Sequence, residues 1–131
     1  VAWILRRMAH ETAIHRWDAE NAAGDAEPID ADLAADGISE ALDVAWRYQM
    51  RGPTTGYPEE SLHLHRTDGE GEWLLTVVDD VLNVTNEHGR GDAAVRGTAS
   101  DLALFMWNRR LPGLEYFGDE AVVEAWLAIS P

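Results

Sequence analysis

Cysteine and lysine are both missing from this chain, and positive charge of any kind is scarce. Ten arginines face 24 acidic residues, a formal charge of −14 over 131 residues. Without cysteine there are no disulfides, no thiolate metal sites and no cysteine nucleophile. Without a basic face, general nucleic-acid binding has no electrostatic footing. The same deficit disfavours anionic membrane surfaces. No apolar run is long enough to span a bilayer and nothing resembles a secretion signal, which suits a cytoplasmic protein. The missing lysines, beside abundant alanine, read as a coding bias. A phosphate loop is also absent: Gly89-Arg90-Gly91 lacks the spacing of a nucleotide-binding turn. Ser100 has no adjacent histidine, so a serine nucleophile is unsupported and helix capping is its expected role.

What is there begins with helix. The spacing predicts one long helix from Ala2 to Ala23, stopped by Gly24. Ile4, Met8, Glu11, His15 and Asp18 recur at steps of three and four and share one stripe. Glu11 and His15, four apart, sit side by side, and both are good ligands for zinc or a similar divalent metal. His10 and His15 are about 140° apart around the helix, so His10 cannot readily share that metal. No capping residue precedes the helix, as expected of a piece of a longer protein. Gly24 to Asp32 reads as a connection.

A second helix is expected from Ala31 to Met50, with Gly37 as a point of breakage, followed by a loop over Arg51–Pro58. Beyond Ser61 the period changes to two. Leu62 and Leu64 alternate with His63 and His65 in a strand whose leucines take the core face. Further strands are expected over Trp73–Val78, Val81–Thr85 and Ala93–Gly97, with Asp79-Asp80 as a turn. Such short connections predict antiparallel pairing throughout. Helices follow over Asp101–Arg110 and from Glu120 to Ala128, the latter burying Val122, Val123 and Trp126. The class is α+β: a small antiparallel sheet of about four strands packed with helices.

His63 and His65 lie on one strand face, and such a pair can bind metal, although the pattern places it toward solvent. His88, in a glycine loop, is expected to be exposed. Arg109 and Arg110 either complement a helix C-terminus or clamp a substrate carboxylate.

Three segments taken together are similar to one family. They are Arg7-Met8-Ala9-His10-Glu11-Thr12-Ala13-Ile14-His15-Arg16-Trp17-Asp18-Ala19-Glu20, then Pro28-Ile29-Asp30 through Gly37-Ile38, then Val95-Arg96-Gly97-Thr98-Ala99-Ser100-Asp101-Leu102 through Trp107-Asn108-Arg109-Arg110. Over nearly the whole chain they resemble the mycothiol-dependent maleylpyruvate isomerase family. The resemblance implies a four-helix DinB-type bundle that holds a divalent metal, zinc by expectation, and a C-terminal α/β domain similar to sterol-carrier proteins. Residues 1–24 would be the last bundle helix and residues 25–131 the C-terminal domain.

In that family an early histidine and a Glu-x-x-x-His pair hold the metal. Glu11 and His15 match the pair, and the early histidine has no counterpart here. Asp18 falls where the family has an aspartate near the site. Arg109 matches an arginine linked to activity, with Arg110 as fallback. The implied chemistry is that of an isomerase or thiol transferase, in which mycothiol, its thiol made more acidic by the metal, adds to a small electrophilic substrate. Holding two of three protein ligands, the chain by itself is expected to be inactive and to pair with a second copy through Trp3, Ile4, Leu5 and Met8. The alternative is a non-catalytic α/β module that binds a small apolar ligand or a partner protein.

Overall fold

The computed structural model describes residues 1–47 and 56–130. Tyr48-Gln49-Met50, the end of the expected second helix, and Arg51–Thr55 of the expected loop lie outside the described residues. Helix α1 spans Ala2–Ala23, as its periodicity predicts. Helix α2 (Ala31–Glu40) starts where the Asp30 carboxylate accepts the Leu33 N–H at 3.1 Å. It then widens into π-helical turns over Ala41–Trp46. Gly37 does not break α2. Its missing side chain instead lets the His10 ring rest on the helix, where a Cβ would stand 3.0 Å from the imidazole Nδ1.

Five strands form one sheet: β1 (Leu62–Arg66), β2 (Glu72–Val78), β3 (Val81–Thr85), β4 (Ala93–Gly97) and β5 (Glu115–Gly118), in the order β3-β2-β1-β4-β5. Asp79 and Asp80 both take positive φ (52° and 60°), the two-residue turn that matches the twist of a β2–β3 hairpin. The α+β class therefore stands, but the expected sheet needs two corrections. A fifth strand, β5, pairs antiparallel with β4. And β1 pairs parallel with β4. Short turns enforce antiparallel pairing only between consecutive strands. The β2–β3 hairpin folds out on one side of β1, and the chain must return past it to lay β4 on the other side.

That return passes over the sheet. Gly89 lies against Leu74 of β2, and Gly91 lies against His63 of β1. A Cβ at Gly91 would come within 2.9 Å of the His63 backbone nitrogen and 2.7 Å of the Ala93 oxygen, so only glycine allows this approach. The opposite face carries the core. Leu62, Leu64, Trp73, Leu75 and Val95 are buried there under the helices, with the Trp73 indole N–H donating to Ser39 of α2 at 3.1 Å.

Helix α3 (Ala99–Met106) is capped by Thr98, which accepts the Asp101 N–H at 3.1 Å. Ser100 is therefore not the cap. It is buried as the second residue of the helix, and its Oγ accepts the Ile29 N–H at 2.9 Å. Helix α4 (Glu120–Leu127) starts at Asp119 and buries Val122, Val123 and Trp126, as its pattern predicts. Trp126 stacks on Trp46 with ring centroids 6.1 Å apart. Among the described residues no helix is long and apolar enough to cross a membrane.

Candidate functional site

Helix α1 has two chemically distinct sides. His10 and Ile14 face inward and are buried. The His10 Nε2 lies 2.8 Å from an Asp36 oxygen, and Arg6 clamps the same carboxylate with two bonds of 2.9 Å. His10 is thus a packed, hydrogen-bonded residue, on a different side of α1 from His15. Glu11 and His15 lie on the outer side, their side chains 45% and 68% exposed. Glu11 accepts a bond of 3.0 Å from Arg7, and the His15 Nδ1 lies 3.5 Å from Asp18. Trp3, Ile4, Leu5 and Met8 are exposed along the first turns of the helix.

The donor types of Glu11 and His15 suit a divalent metal, but among the described residues no third ligand atom groups with them within 4.8 Å. Zinc sites use three or four protein ligands. These two residues, as they stand, do not make one.

Arg109 and Asp18 meet across 91 positions of sequence. α3 ends at Met106, and Asn108, at φ 63°, turns the chain so that Arg109 lies beyond the helix rather than in its last turn. Its Nε donates to one Asp18 oxygen at 3.0 Å and its Nη2 to the other at 2.7 Å, while Nη1 donates to the Trp107 carbonyl. This fork holds the Asp18 carboxyl below the usual carboxylate range. Arg110 points elsewhere and pairs with Glu124. A second tie lies beside the first. Arg7 bridges Glu11 and the buried Glu40, 3.0 Å from each, with its guanidinium 4.6 Å from the centre of the Trp107 ring.

A third constellation lies on the outer face of the sheet. Antiparallel register sets His65 opposite Glu72 and His63 opposite Leu74, so the three polar residues share that face. The returning loop adds His88. One oxygen of Glu72 lies 3.2 Å from the His63 Nε2, 2.9 Å from the His65 Nδ1 and 2.7 Å from the His88 Nδ1. Hydrogen bonds from His88 and His65 hold the Glu72 carboxyl at a pKa of about 2. His63 is only 7% exposed because the loop covers it, and that burial pushes its pKa down. Its Nε2 is near Glu72 but poorly aligned, and it makes no hydrogen bond. The strand pattern placed both histidines toward solvent; the crossing loop buries one of them. Glu72 went unnoticed in the sequence, although its position directly after the Asp68-Gly69-Glu70-Gly71 turn gives the hairpin register that sets it opposite His65.

Helices packed on one face of a five-stranded mixed sheet, with α1 tied to them by ion pairs, define a sterol-carrier-like α+β domain. The particular family follows from the sequence: residues 32–125 match the profile of the MDMPI C-terminal domain, and the chain belongs to that family, the C-terminal domain of the maleylpyruvate isomerase family. The matched span includes Arg109, His63, His65 and Glu72, while Glu11, His15 and Asp18 lie before it. Among solved structures, a UbiJ-SCP2 ubiquinone synthesis protein is similar, with a TM-score of 0.54 and 21% identity over 76% of this chain and 94% of that one. The stereoselective inverting sec-alkylsulfatase Pisa1 of Pseudomonas sp. is similar over 78% of this chain but only 16% of its own, with a TM-score of 0.50 and 16% identity. Both likenesses are of fold alone. No curated protein matches the chain.

Proposed function

We propose that the chain is the C-terminal portion of a metal- and mycothiol-dependent enzyme, a maleylpyruvate isomerase-like protein or a thiol transferase, working in the cytoplasm on a small molecule. The observation that carries this reading is the Arg109–Asp18 fork. It joins the family's C-terminal domain to the helix that presents Glu11 and His15. In this reading Glu11 and His15 are two ligands of a divalent metal, and the remaining ligand comes from outside the described residues. A bound divalent cation would supply acidity to a coordinated thiol.

The chain's own residues supply position. Asp18, held by Arg109, stands next to His15 and biases its ring. Arg7 holds the Glu11 carboxylate while anchored on Glu40 and Trp107. Both ties fix the outer face of α1 relative to the sheet domain. Arg109 already makes bonds to Asp18 and Trp107, so its role here is to position α1. The exposed Trp3, Ile4, Leu5 and Met8 are the surface that further helices of a DinB-type bundle cover, or a second copy in their absence. The apolar pocket between α1, α2 and α3, lined by Ile14, Ile29, Leu33 and Trp107, holds only about 10 Å³ and leaves a bound apolar ligand no room there.

The test uses protein isolated from its own cells, with Glu11→Ala and His15→Ala introduced together at the chromosomal gene. The double variant is expected to lose one equivalent of bound metal and all mycothiol-dependent turnover. Equal metal content and equal turnover in both proteins would refute the reading. The 131-residue chain alone is expected to show no turnover with mycothiol.

A further inference from the structure

The residues that do converge on one point are not those on α1. We propose that His63, His65 and Glu72, with His88 as an outer ligand, form a second site, for a zinc-class divalent cation, on the exposed face of the sheet. One ligand atom from each of His63, His65 and Glu72 lies within 4.8 Å of the other two. In a tetrahedral zinc site with bonds near 2.05 Å, neighbouring ligand atoms stand ~3.3 Å apart. The Glu72 oxygen stands 3.2 Å from the His63 Nε2 and 2.9 Å from the His65 Nδ1, within about 0.4 Å of that spacing. His88, 2.7 Å from the same oxygen, lies outside the group of three and joins it by a movement of its loop.

The donor set is the right kind. Two imidazoles and a carboxylate make a common zinc-binding trio, and a third imidazole completes four. The buried His63 Nε2 gives the arrangement its direction. It is a ring nitrogen shielded from water, 3.2 Å from the Glu72 oxygen but not in a well-formed hydrogen bond with it. Burial of such an atom is costly unless something binds it. A cation there satisfies it and also separates the three imidazoles now crowded on one oxygen.

The backbone holds three of the four ligands rigidly. His63, His65 and Glu72 sit in paired strands, and Gly91 presses the loop onto β1. His88, exposed on that loop, can adjust. Beside the cluster a cleft of about 420 Å³, lined by His63, His88, Arg90 and Phe117 among others, gives the cation access and an open side. The site owes nothing to α1, so it stands or falls independently of the proposed function.

The experiment is a cobalt(II) titration of the untagged, chelator-stripped 131-residue protein at neutral pH. Visible d–d absorption reports an imidazole-rich site, and calorimetry gives the stoichiometry. One equivalent is expected to bind with an absorption band that zinc displaces. The band is expected to disappear in a His63→Gln, His65→Gln variant and to remain in a Glu11→Ala, His15→Ala variant. His88→Ala alters only an exposed ring, so folding is not at stake; it is expected to weaken binding by about tenfold or more. No complex at a hundredfold excess of cobalt would overturn the proposal. So would a band that survives in the His63/His65 variant, a band lost in the Glu11/His15 variant, or unchanged affinity in His88→Ala.

Discussion

Cutting the Arg109–Asp18 fork tests whether it really joins helix and domain. The fork has two charge-assisted bonds, of 3.0 and 2.7 Å. A hydrogen bond to a charged group contributes about 1.5–3 kcal/mol when shielded. Exposed ion pairs contribute about 0–1 kcal/mol. Both side chains are close to one-third exposed, 31% for Arg109 and 33% for Asp18, which places the pair between these limits. The coupling energy is therefore expected at about 1–1.5 kcal/mol.

Arg109→Ala alone also strips the Trp107 carbonyl of its donor and removes the packed stem, which raises the single-variant loss to about 2 kcal/mol. In a domain of this size that corresponds to a fall in Tm of about 8 °C. Arg109→Lys keeps the charge but not the fork, so it is expected to recover about half of the coupling. The assay is urea unfolding of the wild type, Asp18→Ala, Arg109→Ala and the double variant, which isolates the pairwise energy. A coupling below about 0.3 kcal/mol would show that α1 is held by other contacts and would remove the main support for the proposed function.

Two further outcomes follow from the same interface. Glu40→Ala leaves Arg7 beside a buried gap with Glu11 as its remaining carboxylate partner and the Trp107 ring beneath it, and is expected to cost about 2–3 kcal/mol in urea unfolding; a loss under about 0.5 kcal/mol would mean that the buried pair does not anchor α1. Asp36, clamped by Arg6 and bonded to His10, has its pKa held below the ordinary 3.8. A depressed carboxylate contributes stability that is complete above its unfolded pKa and is lost as pH falls through the folded value. The difference in urea midpoint between wild type and Asp36→Asn is therefore expected to shrink as pH falls below about 4. A difference that stays constant down to pH 2.5 would contradict the assignment.

Much of this molecule was legible in its local pattern. The period of two marked β1, and the spans expected for β3 and β4 agree with the observed ones because strand patterning and turn residues act over a few residues. The twin aspartates at 79 and 80 marked the hairpin for the same reason. Helical spacing alone put Glu11 and His15 side by side on one stripe with Ile4 and Met8; the uncovered apolar start of α1 was expected only from the family resemblance. The edge strand β5 was missed because all four of its residues are exposed, which leaves no alternation to read. The capping role moved from Ser100 to Thr98 because two candidate hydroxyls stood two residues apart, and only the position of Ile29 decided which of them was buried.

The sequence by itself determined which residues share a face: the helical stripe of α1, the leucine and histidine sides of β1, the buried side of α4. These depend on the 3.6 and 2.0 periods of the backbone. Only the tertiary structure decided which faces meet. It set β4 parallel to β1, folded the returning loop over His63, brought Glu72 under three imidazoles, laid His10 into the space of Gly37, and joined Asp18 to Arg109. Each of these depends on where distant segments cross, and no local period carries that information.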